Sequence, residues 1–345
     1  MFERAVHFVG SFPAASTSDA MRTMLDGAGS RLRTLPIGET RRYEFYVEPI
    51  FADLVSQGVL EVKPPGRRAN PDRIYHRVPR GSELRGDAMD LGYLREAEEA
   101  LPIFGELRAA SGRTDLALQI GMPSAVTMAF TGMGVSGIPT YRKAFADATV
   151  RAIADVRRSA GSDVVIQLEA PAELVFMAKG QAVHRQLDAA MGFGRGIAAL
   201  AAAAPGGTRF GVHLCLGSRR NRARATLRTA RPLVDLANSV VRHWPSGRPL
   251  EFVHGPLAAR HLPESAQAEF FAPLADLALG PGTAFYAGFV DDVPSEAEQV
   301  ETLHRIERGL GRPVDGVASP CGLGRRTREV AEALVGRAAA LAAAE

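Results

Sequence analysis

Residues 187–216 read Leu-Asp-Ala-Ala-Met-Gly-Phe-Gly-Arg-Gly-Ile-Ala-Ala-Leu-Ala-Ala-Ala-Ala-Pro-Gly-Gly-Thr-Arg-Phe-Gly-Val-His-Leu-Cys-Leu. The alanine-rich part, Leu187–Ala204, predicts a helix that Pro205-Gly206-Gly207 stops. The next run, Arg209–Leu216, is short and mostly apolar, as a buried strand is. A second helical stretch, Ala223–His243, follows it. Parallel strands need a crossover connection, usually a helix, so helix–strand–helix is the signature of a parallel α/β sheet.

The same alternation runs outward in both directions. Candidate strands are Ala5–Val9, Leu116–Ile120, Val164–Glu169, Leu250–His254, Ala284–Val290 and Gly316–Ser319. Helical patterns cover Tyr141–Ala160, Ser295–Leu310 and Arg326–Ala344. With one more strand expected before residue 115, the natural count is a (β/α)8 TIM barrel, one catalytic domain over residues 1–345. Residues 14–115 read as irregular, with long loops or an insertion around the charged run Lys63-Pro64-Pro65-Gly66-Arg67-Arg68.

Composition narrows the class. Hydrophobic residues make up 46% and charged residues 23%, which suits a globular chain with a full core. No stretch approaches the roughly 20 apolar residues of a membrane span. The opening Met1–Val6 lacks an apolar signal region, so a cytoplasmic protein without a membrane partner is expected. Net charge is +3, but aromatics are sparse and no nucleic-acid motif stands out, so no nucleic-acid partner is expected.

Only two cysteines occur. Cys215 follows His213 by two residues, and a strand sends both to the same face. Cys321 lies in Ser319-Pro320-Cys321-Gly322 after the last strand. One imidazole and two thiolates make most of a tetrahedral zinc site, against the bland alternative of a core histidine and two small buried hydrophobes. In a barrel, chemistry gathers at the C-terminal strand ends. Gly10-Ser11, Glu169, His213, Cys215, Glu251, Asp291, Asp292 and Cys321 are all grouped there. Gly132-Met133-Gly134-Val135-Ser136-Gly137 fits a dinucleotide fingerprint, but Pro139 follows at once and no acidic partner stands out. Arg219, Arg220, Arg222, Arg224 and Arg228 form a basic run that reads as a solvated face or as a grip on an anionic substrate tail.

The motifs resemble those of the catalytic domain of cobalamin-independent methionine synthases, in order and over most of the chain. The matching stretches are Val9-Gly10-Ser11-Phe12-Pro13, Ile166-Gln167-Leu168-Glu169-Ala170-Pro171, His213-Leu214-Cys215 and Cys321-Gly322-Leu323-Gly324. The resemblance implies a zinc ion held by His213, Cys215, Glu251 and Cys321. It implies alkyl transfer, in the first place methyl transfer, to a small-molecule thiol such as homocysteine, with zinc holding the thiolate. Gly10, Ser11 and Glu169 take the place of substrate contacts. The family's folate-side histidine is missing from Gly288–Ser295, and no tryptophan follows Ala125–Phe130. Asp291 and His254 are therefore the candidates for the proton donor. The alkyl donor is methyltetrahydrofolate by resemblance, or an epoxide or other electrophile in its place. A zinc-holding barrel that serves as a protein partner, and a metal-free decarboxylase of the same barrel type, are the readings from other classes.

Overall fold

The computed structural model describes residues 3–64, 73–218, 222–259 and 262–344. Of the run at 63–68 it includes only Lys63 and Pro64, and Arg219 and Arg220 of the basic run lie outside the described residues.

The strands in chain order are β1 (Ala5–His7), β2 (Thr34–Pro36), β3 (Glu61–Lys63), β4 (Tyr75–Arg77), β5 (Ala117–Pro123), β6 (Val164–Ala170), β7 (Arg209–Leu214), β8 (Leu250–Pro256), β9 (Ala284–Gly288) and β10 (Gly316–Ala318). Eight of them form one sheet in the order β1-β10-β9-β8-β7-β6-β5-β2, every pair parallel. Bridges Val6–Leu32 and Ser11–Gly38 join the two ends, so the sheet is a nearly closed (β/α)8 TIM barrel. β3 and β4 make a separate antiparallel pair.

Helices follow the barrel strands and cover them. They are α1 (Thr17–Ala28), α2 (Glu48–Ser56), α3 (Tyr93–Ser111), α4 (Ala125–Met133), α5 (Ile138–Ala160), α6 (Pro171–Lys179), α7 (His184–Met191), α8 (Phe193–Ala203), α9 (Arg231–His243), α10 (Glu264–Phe271), α11 (Glu296–Leu310) and α12 (Arg328–Ala343). The strand missing from the sequence reading is β2, whose three residues end in a proline. Leu187–Ala204 is two helices, because Gly192 takes a left-handed φ of +65° between them. The helix expected from Ala223 starts at Arg231, with Pro232 in its first turn. The glycine-rich stretch 132–137 ends α4 and leads into α5, so no strand feeds it as a dinucleotide loop requires.

The bore of the barrel is filled in layers. At the base, Ala5, Ala117, Val165, Phe252 and Tyr286 pack together. Gly211 makes room for this layer: a Cβ there would stand 2.0 Å from the Phe252 ring. Burying such a side chain contributes about 1.5–3 kcal/mol. Above it lies a polar layer in which Gln119 donates to the carbonyls of Phe8 (3.0 Å) and Val9 (2.9 Å) and accepts from Thr34 (2.6 Å). His7 meets Gln167 at 3.1 Å in the same layer. The next layer, at the C-terminal mouth, carries the thiols.

Candidate metal centre and substrate cleft

His213 stands at the end of β7 and Cys215 just beyond it, so the pleat turns both toward the mouth of the barrel. Cys321 comes from the loop after β10 on the far side of β8 and β9. One donor atom from each of the three lies within 4.8 Å of the others. The Cys215 thiol donates to the Cys321 sulfur at 3.5 Å, and the Ser218 hydroxyl donates to it at 3.0 Å. Arg325 in turn donates to Ser218 at 2.8 Å. The bond from Cys215, with His213 and Arg325 nearby, draws the Cys321 thiol well below the usual range against the opposing effect of burial. The same bond, together with burial, pushes Cys215 up.

Glu251 is corrected. It sits near the start of β8, three residues and roughly 10 Å of strand below His254. The ladder pairs Phe210 with Leu250 and Gly211 with Phe252, so Glu251 is the extra residue of a bulge. Its carboxylate is forked onto the Arg209 guanidinium at the base of β7 and does not reach the thiols.

Asp291 and His254 each have partners of their own. Asp291 is buried and ion-paired with Arg326 at 2.6 Å, and its backbone N–H donates to Gln299 at 2.9 Å. It braces the loop before α12 against the end of β9. His254 is fully buried, and its two ring nitrogens meet His213 Nδ1 at 2.6 Å and the Ser319 carbonyl at 3.1 Å. Burial holds it well below the usual histidine range, so it is neutral and has no face toward the cleft.

Beside the thiols opens a cleft. Ser11 and Glu169 line it, together with Tyr43, Phe45 and Phe130. Ser11 holds the Cys321 loop, accepting from Leu323 N through its carbonyl (2.9 Å) and from Gly324 N through its hydroxyl (3.4 Å). Gly10 is required for close approach: a Cβ there would stand 2.6 Å from Glu39 Oε1.

Sequence reasoning missed Glu39, which faces Glu169 across this floor. Both carboxylates are buried, and Oε1 of each lies within 3.0 Å of where a Cβ on Gly121 would stand. Arg42, also buried, pairs with Glu39 at 3.3 Å and Glu96 at 3.3 Å. Burial and the charge of Glu39, opposed by Arg42, push Glu169 up to about 8, and burial pushes Glu39 up as well. Glu39 Oε1 has no hydrogen-bond partner among the described residues. Glu39 and Tyr46, both on the cleft, have left-handed φ of +50° and +57°. Such strain gathers at functional sites, but nothing in residue types 37–47 announces it.

No family model matches this sequence, and no curated protein matches it. Solved structures share its fold, among them three that match over nearly their whole lengths. A B12-independent methionine synthase from Shewanella sp. W3-18-1, in complex with selenomethionine, is similar at TM-score 0.61 and 15% identity, over 99% of this chain and 97% of that one. A methyltransferase from Methanosarcina mazei is similar at TM-score 0.56 and 15% identity, over 98% and 94%. A putative vitamin-B12 independent methionine synthase from Listeria monocytogenes is similar at TM-score 0.54 and 11% identity, over 99% and 98%. At these identities the likeness is one of fold. Among the described residues, no helix is long and apolar enough to cross a membrane.

Proposed function

We propose that this protein transfers an alkyl group, in the first place methyl, to a small-molecule thiol activated by zinc. The observation that carries this is the meeting of His213, Cys215 and Cys321 donor atoms within 4.8 Å at the mouth of the barrel. A soft donor set of imidazole and two sulfurs fits zinc, and three protein ligands leave a place for substrate, as catalytic sites do. Zinc bound there supplies the Lewis acidity that keeps a thiol sulfur as a nucleophilic thiolate near neutral pH. The neighbouring fold relatives bear the names of methionine synthases and a methyltransferase, which agrees with this reading.

The chain's own residues supply the rest. Glu39, Glu169 and Glu96 set three carboxyls around the single guanidinium of Arg42 at one end of the cleft. An orphaned carboxylate oxygen on Glu39 suits a cationic substrate group, such as the ammonium of an amino-acid thiol like homocysteine. The aromatic wall of Tyr43, Phe45 and Phe130 is left for the alkyl donor. Among the described residues, His213 is the only histidine lining this cleft. With His254 sealed behind it, a folate leaving group lacks an imidazole proton donor among the described residues. That favours, as the second reading, a non-folate electrophile such as an epoxide.

The test measures zinc in the purified wild type and in Cys215→Ser and Cys321→Ser, then methylation of homocysteine by methyltetrahydrofolate and by simple electrophiles. About one zinc per chain, lost in both variants, supports the site. A wild type that takes up no zinc on reconstitution removes it.

A further inference from the structure

We propose that His254 is a positioning residue that fixes the tautomer of His213 and so presents the His213 Nε2 lone pair to the metal. This rests on the zinc reading above and goes beyond it: it assigns a role to a residue that touches neither metal nor substrate.

The argument starts from a carbonyl. The oxygen of Ser319 accepts hydrogen bonds and donates none, so His254 Nε2, 3.1 Å away, carries the proton. A neutral imidazole has one N–H, so His254 Nδ1 is left as an acceptor. His213 Nδ1 lies 2.6 Å from it and is the donor of that bond. His213 then keeps its own lone pair on Nε2. The bond made by one ring nitrogen sets which nitrogen is free to bind a metal.

The packing is built to hold this relay. His213 and His254 are partners in the β7–β8 register. His7 lies against the His254 ring at 5.5 Å between centroids, and Tyr286 stacks on His7 at 4.8 Å. Gly288 leaves the space the ring needs, since a Cβ there would stand 2.6 Å from His254 Nε2. The Ser319 carbonyl lies two residues before Cys321, so the strand end that delivers a sulfur also orients the imidazole.

The experiment measures zinc affinity by competition with a chromogenic chelator for wild type, His254→Leu and His254→Asn. Loss of an outer partner of a metal-bound histidine weakens binding about ten- to a hundredfold, and that is expected for His254→Leu. His254→Asn, whose side-chain oxygen replaces Nδ1 as acceptor, recovers most of it. Equal affinity of His254→Leu and wild type overturns the proposal. Long-range proton–nitrogen NMR of the zinc-loaded wild type decides it independently of whether the variants fold. The expected pattern is His213 protonated on Nδ1 and His254 on Nε2, and a His213 bound to zinc through Nδ1 overturns it. A wild type that binds no zinc defeats the metal reading instead, which sets that failure apart from a zinc-loaded protein with the wrong pattern.

Discussion

The sulfurs of Cys215 and Cys321 lie 3.5 Å apart although 106 residues separate them in the chain. They meet because β7 and β10 deliver their C-terminal ends to opposite sides of one barrel mouth. Both are free thiols.

That proximity makes the metal-free pair sensitive to oxidation. Hydrogen peroxide is expected to convert the two thiols to one disulfide, releasing two water molecules, and titration should show both thiols lost together. Zinc-loaded protein is expected to keep them under the same treatment. Stepwise loss of one thiol at a time, unaffected by zinc, would count against a shared site.

Glu251→Gln is expected to leave zinc stoichiometry unchanged, because the carboxylate is bound to Arg209 at the other end of the strand. A half-exposed ion pair of this kind contributes up to about 1 kcal/mol, so the variant melts at most a few degrees lower. Loss of zinc from this variant would reinstate Glu251 as a ligand.

Glu173 gives a pH signature apart from the metal. It is buried, accepts from Ser124 (2.5 Å) and Thr127 (3.1 Å), and is pushed up to about 7 by burial. Its folded-state value lies above its unfolded one, so its contribution is complete below about pH 4.5 and is lost as pH rises through 7. The loss is on the order of 3 kcal/mol. Urea unfolding at pH 5 and pH 8 should therefore show Glu173→Gln losing less stability over this interval than the wild type, by a difference of that order, whatever other buried groups such as Glu169 add to both.

Gly121→Ala puts a methyl 2.5 Å from Glu169 Oε1 and 3.0 Å from Glu39 Oε1. Overpacking of this sort costs about 1–3 kcal/mol. It should also raise KM for an amine-bearing thiol more than for its des-amino analogue, measured side by side. An equal effect on both thiols would detach these carboxylates from substrate binding.

The barrel was legible because its middle strands are long, apolar and separated by helices. β2 was not, since three residues ending in Pro36 carry too little pattern. The thiols were legible because period-two geometry puts His213 and Cys215 on one face, and Cys321 was the remaining thiol. Glu251 misled because it came from the resemblance, whereas it stands at the N-terminal end of β8 and is held by Arg209. Glu39 stayed hidden because its position depends on a left-handed backbone that ordinarily calls for glycine.

That left-handed conformation at Glu39 sets a direction for laboratory evolution. Glycine at residue 39 would relax the backbone and remove a buried carboxyl, so a screen for heat resistance alone should draw substitutions there. A parallel screen for turnover should reject the same changes. Robustness and selectivity in this protein thus pull against each other at residue 39, and directed evolution can set the balance there without touching the thiols.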